Sequence, residues 1–141
     1  MAAQKKPQLK FESQGPITIG TVCHSNMLDA MNVTDFGNEV LDHVKGQKDL
    51  NLLLDFHTVD YMSSAALTEL LRINDEVRRN GGSVRLCGLS KDIRKVFQIT
   101  NLEKLFVIHD GDSVDQASKR FARSLEVAAK EDSWGRADAG G

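Results

Sequence analysis

The chain is short of most features that announce a function. Its 141 residues contain two cysteines, one tryptophan and one tyrosine, and the net charge is −2. No apolar run approaches the ~20 residues that span a bilayer, so no membrane-crossing helix is expected. Met1 to Lys10 is polar and charged with no apolar centre, unlike a secretory leader. The absence of a basic excess argues against a dedicated nucleic-acid binder, and no direct nucleic-acid contact is expected. Cys23 and Cys87 are far apart, each near the end of an apolar run, and read as two reduced, buried thiols of a cytoplasmic protein. His24, His43, His57 and His109 follow no metal-ligand spacing, and no Cys-x-x-Cys occurs. Neither glycine-rich phosphate loop is present, and no Gly-x-Ser-x-Gly surrounds Ser63 or Ser64. These absences leave no constellation for catalysis and imply no cofactor.

What the chain does have is a clean alternation of strand and helix periods. At 40% apolar residues, it can bury a core without disulfides or metals. Residues 1–9 read as a disordered N-terminus and Lys10 to Ser13 as a short edge strand, with a turn at Gln14-Gly15-Pro16. Ile17 to Val22 is a β-rich run. Asn32 or Thr34 then caps a helix carrying Val33, Phe36, Val40, Leu41 and Val44 on one face and ending at Gly46. The unbroken Leu52-Leu53-Leu54, closed by Asp55-Phe56, suits a strand buried on both faces.

After a polar stretch, His57 to Ser63, the period changes to that of a helix. Leu67, Leu70, Leu71, Asn74 and Val77 share a face, and the helix stops at Asn80-Gly81-Gly82. Val84 and Leu86 mark the next strand, Ser90 to Thr100 a short helix, Asn101 to Leu105 a turn, and Phe106 to Ile108 a last strand. Ser113 with Gln116 forms a capping box opening a helix whose core face is Val114, Ala117, Phe121 and Leu125. The basic residues Arg72, Arg78, Arg79, Arg85, Lys91, Arg94 and Lys95 interleave with acids and read as a solvated face. The expected architecture is a single α/β domain with a mostly parallel central sheet of four to five strands packed by helices. It covers residues 10–128, with a flexible tail at 129–141.

The switch from strand to helix falls on Ser63-Ser64, where a hydroxyl can cap the first helical turn. Around it the sequence resembles the STAS domain, the fold of bacterial anti-sigma factor antagonists. That family's pattern is an apolar strand ending in Asp, then Val-Asp-Phe-(apolar)-Asp-Ser-Ser/Thr-Gly-Leu opening a helix. Here the corresponding residues are Leu52 to Phe56, then Val59-Asp60-Tyr61-Met62-Ser63-Ser64-Ala65-Ala66-Leu67. Gly81 to Leu86 resembles the family's next turn and strand, and Ser90 to Phe106 its short helix and following Gly-Leu-Asp-x-Leu-Phe.

The resemblance implies an anti-sigma factor antagonist, not an enzyme, that docks on an anti-sigma serine kinase and is released by phosphorylation. A phosphoserine phosphatase resets it. The family's modified serine maps to Ser64; its preceding acid is replaced by Ser63 and its glycine by Ala66. Ser63 therefore stays open as an alternative acceptor. The resemblance places partner contact on Asp55, Asp60, Tyr61, Met62, Ser63, Ser64 and Leu67, together with the exposed face of the helix. Asp60 either orients the loop or bonds its own turn. Two rivals remain: a non-switching STAS scaffold, such as a subunit beside a transporter ATPase, and a nucleotide-binding or enzymatic α/β domain.

Overall fold

The computed structural model describes residues 9–23, 27–28 and 32–140, with 129–140 described as helical backbone. Strand β1 (Leu9–Gln14) turns back at Gly15 and pairs antiparallel with β2 (Ile17–Val22). A two-residue strand, β3 (Met27–Leu28), and helix α1 (Val33–Val44) follow. The next elements are β4 (Asn51–Asp55), the two-residue β5 (Tyr61–Met62), α2 (Ser64–Arg79) and β6 (Ser83–Cys87). Helix α3 (Lys91–Ile99), a 3-10 turn at Leu102–Lys104, β7 (Val107–His109) and α4 (Val114–Gly140) complete the chain. The main sheet has five strands in the order β1-β2-β4-β6-β7, and every pair but the first is parallel. This is the expected fold class.

Strand parity divides the core. Leu52, Leu54, Val84 and Leu86 point to one face, where they meet Phe36, Val40, Leu70, Ile73, Val77, Ile93 and Phe97 of α1, α2 and α3. Ile17, Ile19, Leu53 and Cys87 point to the other, where Ala117 and Phe121 of α4 cover them. The unbroken leucine run of β4 follows from this: as the central strand it is covered on both sides, and all three leucines are fully buried.

The helix ends obey local chemistry. Ser63, Ser90 and Ser113 each accept a backbone N–H three residues on, at 3.2 Å. Ser113 and Gln116 close the reciprocal box, Gln116 Oε1 accepting the Ser113 N–H at 3.0 Å. Asn32, not Thr34, holds the N-cap position of α1. At the end of α2, Gly82 N–H bonds Val77 C=O at 2.9 Å and Gly81 N–H bonds Arg78 C=O at 3.0 Å, with Gly81 at φ +82°. That bond pair is the Schellman motif, which needs a residue free to take the left-handed conformation.

Four expectations shift. Leu9, placed in the disordered terminus, begins β1 and is buried, because it pairs with Val22 over the α1 side of the core; residues 1–8 lie outside the described residues. The last strand is Val107–His109, one residue later than expected, since Phe106 turns inward and meets Phe97 edge-on at 6.1 Å. The segment from 129, expected as a tail, carries the helical backbone of α4 to Gly140. Ala128-Ala129-Lys130-Glu131 are strong helix formers and continue a helix already nucleated by the capping box. The paired β3 and β5 were not foreseen; each is two residues, below the length at which a period is legible.

Candidate functional site

The candidate site is the link from β4 to α2. Asp55 ends β4 with its side chain almost wholly buried, at 2% exposure. Its carboxylate accepts the His57 backbone N–H at 3.1 Å and meets His57 Nδ1 at 2.7 Å, an Asx-type turn closed by an imidazole. Phe56 N–H bonds Cys87 C=O at 3.0 Å, and the Phe56 ring packs 6.2 Å from Phe36. Thr58 donates its hydroxyl to Val22 C=O at 2.9 Å, and Val59 N–H closes a turn on Phe56 C=O at 2.9 Å. Tyr61 and Met62 then pair with Met27 and Leu28, and Ser63 N–H bonds Leu28 C=O at 2.8 Å. The loop is thus tied to β2, β3 and β6 before the helix starts.

Gly88 makes the close packing at the base feasible. At φ +75° it sits where a Cβ would lie 2.6 Å from Asp55 Oδ1 and 2.7 Å from the His57 nitrogen. Beneath them, burial first and then the neighbouring Asp55 carboxylate push the Cys87 thiol up to about 12. It stays protonated and unreactive at neutral pH. Cys87 is buried as expected, while Cys23 is only half-buried, and no disulfide joins them.

The expected site residues divide by exposure. Asp60, Tyr61 and Ser64 face solvent, with Tyr61 at 50% exposure. Ser63 is half-buried, its hydroxyl committed to the Ala66 N–H. Asp55, Met62 and Leu67 offer little surface, at 2%, 7% and 8%, and support the loop from below. Ser64, the first residue of α2, has a hydroxyl that bonds no described residue. No acid stands in the first turn of α2, so the positive end of that helix is not balanced locally. Thr68 and Arg72 extend the exposed face one and two turns on, with Arg72 paired to Glu69 at 2.8 Å.

Sequence reasoning missed His57 and Gly88. Their partner, Asp55, is two residues away in one case and on another strand in the other. An Asp-x-His spacing gave a weak signal for the first; nothing local marked the second. The basic belt behaves as expected in part: Arg79 pairs with Asp75 and Glu76, and Arg94 with Glu103 and Asp110. Arg85, however, leaves the solvated face and lies half-buried over the Phe121 ring, because its position on β6 points to the α4 side. Among the described residues no cluster of His, Cys, Asp and Glu could hold a metal, and no helix is long and apolar enough to cross a membrane.

A parallel sheet entered through an antiparallel edge, with a serine pair opening the helix after its central strand, defines a class of small α/β modules. The STAS domain family model matches residues 9–117, and the chain belongs to that family. A protein of Bordetella bronchiseptica, provisionally named anti-sigma factor antagonist BtrV, is 28% identical over 104 residues, covering 73% of this chain and 86% of its own. The structure of an anti-sigma-factor antagonist (STAS) domain protein from Planctomyces limnophilus superposes with a TM-score of 0.74 at 17% identity, over 81% of this chain and 97% of that one. SpoIIAA, the Bacillus cell fate determinant, matches in its phosphorylated form with a TM-score of 0.60 at 18% identity, over 79% of this chain and 97% of that one. Its unphosphorylated form gives 0.61 at the same identity. At these identities the structural likenesses speak for the fold.

Proposed function

We propose that this protein is an anti-sigma factor antagonist that docks on an anti-sigma serine kinase and is released when Ser64 is phosphorylated. The observation carrying the proposal is the contrast between the two serines. Ser64 is exposed with an unengaged hydroxyl, while Ser63 is held in the cap. The docking face is Asp60, Tyr61, Ser64, Thr68 and Arg72, on a loop and helix already fixed in place, so little ordering entropy opposes binding. Asp55, Met62, Ser63 and Leu67 act beneath that face, holding its shape.

Phosphorylation adds about −1.5 to −2 charges and three strong acceptor oxygens. Within the free protein the α2 N-terminus stabilises that charge, since helix N-termini bind phosphate and no acid opposes it in the first turn. In the docked complex the same charge must lose its water. Leaving a charge buried and unpaired at an interface costs about 2–5 kcal/mol. Moving an equilibrium from mostly bound to mostly free takes about 5.5 kcal/mol, so one phosphate has nearly the required size. A phosphoserine phosphatase returns the protein to the docking state, and the kinase's other ligand is a sigma factor.

The test is incubation with an anti-sigma serine kinase and ATP, followed by peptide mass spectrometry and binding measurements. Label is expected on Ser64, with Ser64→Ala binding the kinase but taking no label. Ser64→Asp is expected to bind at least roughly tenfold more weakly, a loss of about 1.4 kcal/mol. Label on Ser63 alone, or equal binding by both variants, overturns the assignment.

A further inference from the structure

On the α4 side of the sheet, away from the serine pair, lies a groove of about 760 Å³. Its described lining is His109 from β7 with Arg120, Arg123, Ser124, Val127 and Ala128 from α4. A volume of this order suits a small organic ligand. A second hollow of about 220 Å³ shares Arg120 and Arg123 and adds Gln116 and Lys119.

The region is rich in guanidinium groups. Arg85, on the α4 face of β6, lies in the wall behind His109 and Ser124. Its guanidinium sits 4.3 Å from the centre of the Phe121 ring, donates to Ser124 Oγ at 2.9 Å and reaches His109 Nε2 at 3.4 Å. It has no carboxylate partner among the described residues, although it is half-buried. The nearby Asp112 carboxylate is shared between His109 Nδ1 and Arg120 Nε, both at 3.4 Å. Arg123 has no acidic partner among the described residues. Of the three guanidiniums in this region only Arg120 meets the Asp112 carboxylate, which leaves Arg85 and Arg123 without an acidic partner among the described residues. Arg72, Arg79 and Arg94, by contrast, are each paired with acids. The imidazole of His109 accepts from Arg85 at Nε2, which leaves its proton on Nδ1 facing Asp112 at 3.4 Å, so the ring is neutral in this arrangement and adds no positive charge. Beside the cations the wall is apolar, formed by Ala128 and by Val127, which is 48% exposed.

We propose that this groove binds a small amphipathic anion, a phosphate or carboxylate head on an apolar chain. Arg120 and Arg123 present paired N–H donors that fit such heads, and the charge of Arg85 behind His109 and Ser124 adds to the attraction. The apolar chain lies along Val127 and Ala128, removing them from water.

The test is titration of the full chain with decyl phosphate, decanoate and neutral decanol, each below its aggregation limit, read by calorimetry and by the His109 imidazole NMR signals. Saturable binding of either anion is expected, with movement of the His109 resonances. Arg123→Glu, a change at an exposed side chain, is expected to weaken that binding roughly tenfold or more while leaving the circular dichroism spectrum unchanged. The proposal is overturned if neither anion saturates, if decanol binds as tightly, or if Arg123→Glu binds like the parent. The groove and the Ser64 face lie on opposite sides of the sheet, so these outcomes are independent of kinase docking.

Discussion

Ser63 and Ser64 differ by one position and by everything that position determines. The Ser63 hydroxyl caps the first turn of α2 by accepting the Ala66 N–H at 3.2 Å, a donor it shares with the Ser63 carbonyl at 3.0 Å. Ser63→Ala is expected to lower stability by about 1 kcal/mol in urea unfolding, with Ser64→Ala close to neutral, because the Ser64 hydroxyl holds nothing in the fold. His109 sets a second expectation. Burial, then the neighbouring Arg85, holds its pKa below the ordinary 6.5, against the opposing pull of Asp112. The unfolded chain therefore takes up a proton at His109 more readily than the folded one. The stability contributed is fully present above the unfolded pKa and is lost as pH falls through the folded value. Urea midpoints are expected to drop between about pH 7 and pH 5, and to drop less in His109→Gln.

At the scale of the element, α2 is an electrostatic object as well as a packing one. Its inner face buries Ala66, Leu70, Ile73 and Val77, and it ends in a Schellman motif with Arg78 and Arg79 in the last turn, a favourable charge at the negative end. Its first turn carries no acid, leaving the favourable charge absent at the positive end. Ser64→Asp is accordingly expected to raise stability by about 0.3–1 kcal/mol at low ionic strength, with the gain shrinking in salt. The same substitution is expected to weaken docking. Opposite signs for fold and for binding separate an electrostatic effect on the partner from simple damage to the domain. A Ser64→Asp variant less stable than the parent in thermal melts counts against this account of the helix end.

At the scale of the whole molecule, the sheet separates two surfaces. One carries α1, α2, α3 and the serine pair; the other is covered, among the described residues, by α4 alone and bears the arginine groove. Most of the fold was legible because each large element carries its own period. The leucines of β4, the one-face pattern of α2 and the three serine caps are local signals, and each held. The buried standing of Asp55 and Met62 was not legible in the same way. A motif read along the chain says which residues are near one another in sequence, not which of them face water. Tyr61 and Met62 point opposite ways only because β5 pairs with β3, and that pairing joins segments more than thirty residues apart.

The sequence by itself determined the class of fold, the handover from strand to helix at the serine pair and the caps that begin α2, α3 and α4. All of these depend on interactions within a few residues, whose energies are decided by side-chain type and spacing. Only the tertiary structure decided that Gly88, at the end of β6, lies against Asp55 and His57 at the end of β4, and that Arg85 of β6 meets Ser124 of α4 and His109 of β7. Those facts arise where distant strands meet a helix, and burial and charge balance are properties of that meeting, not of any segment alone.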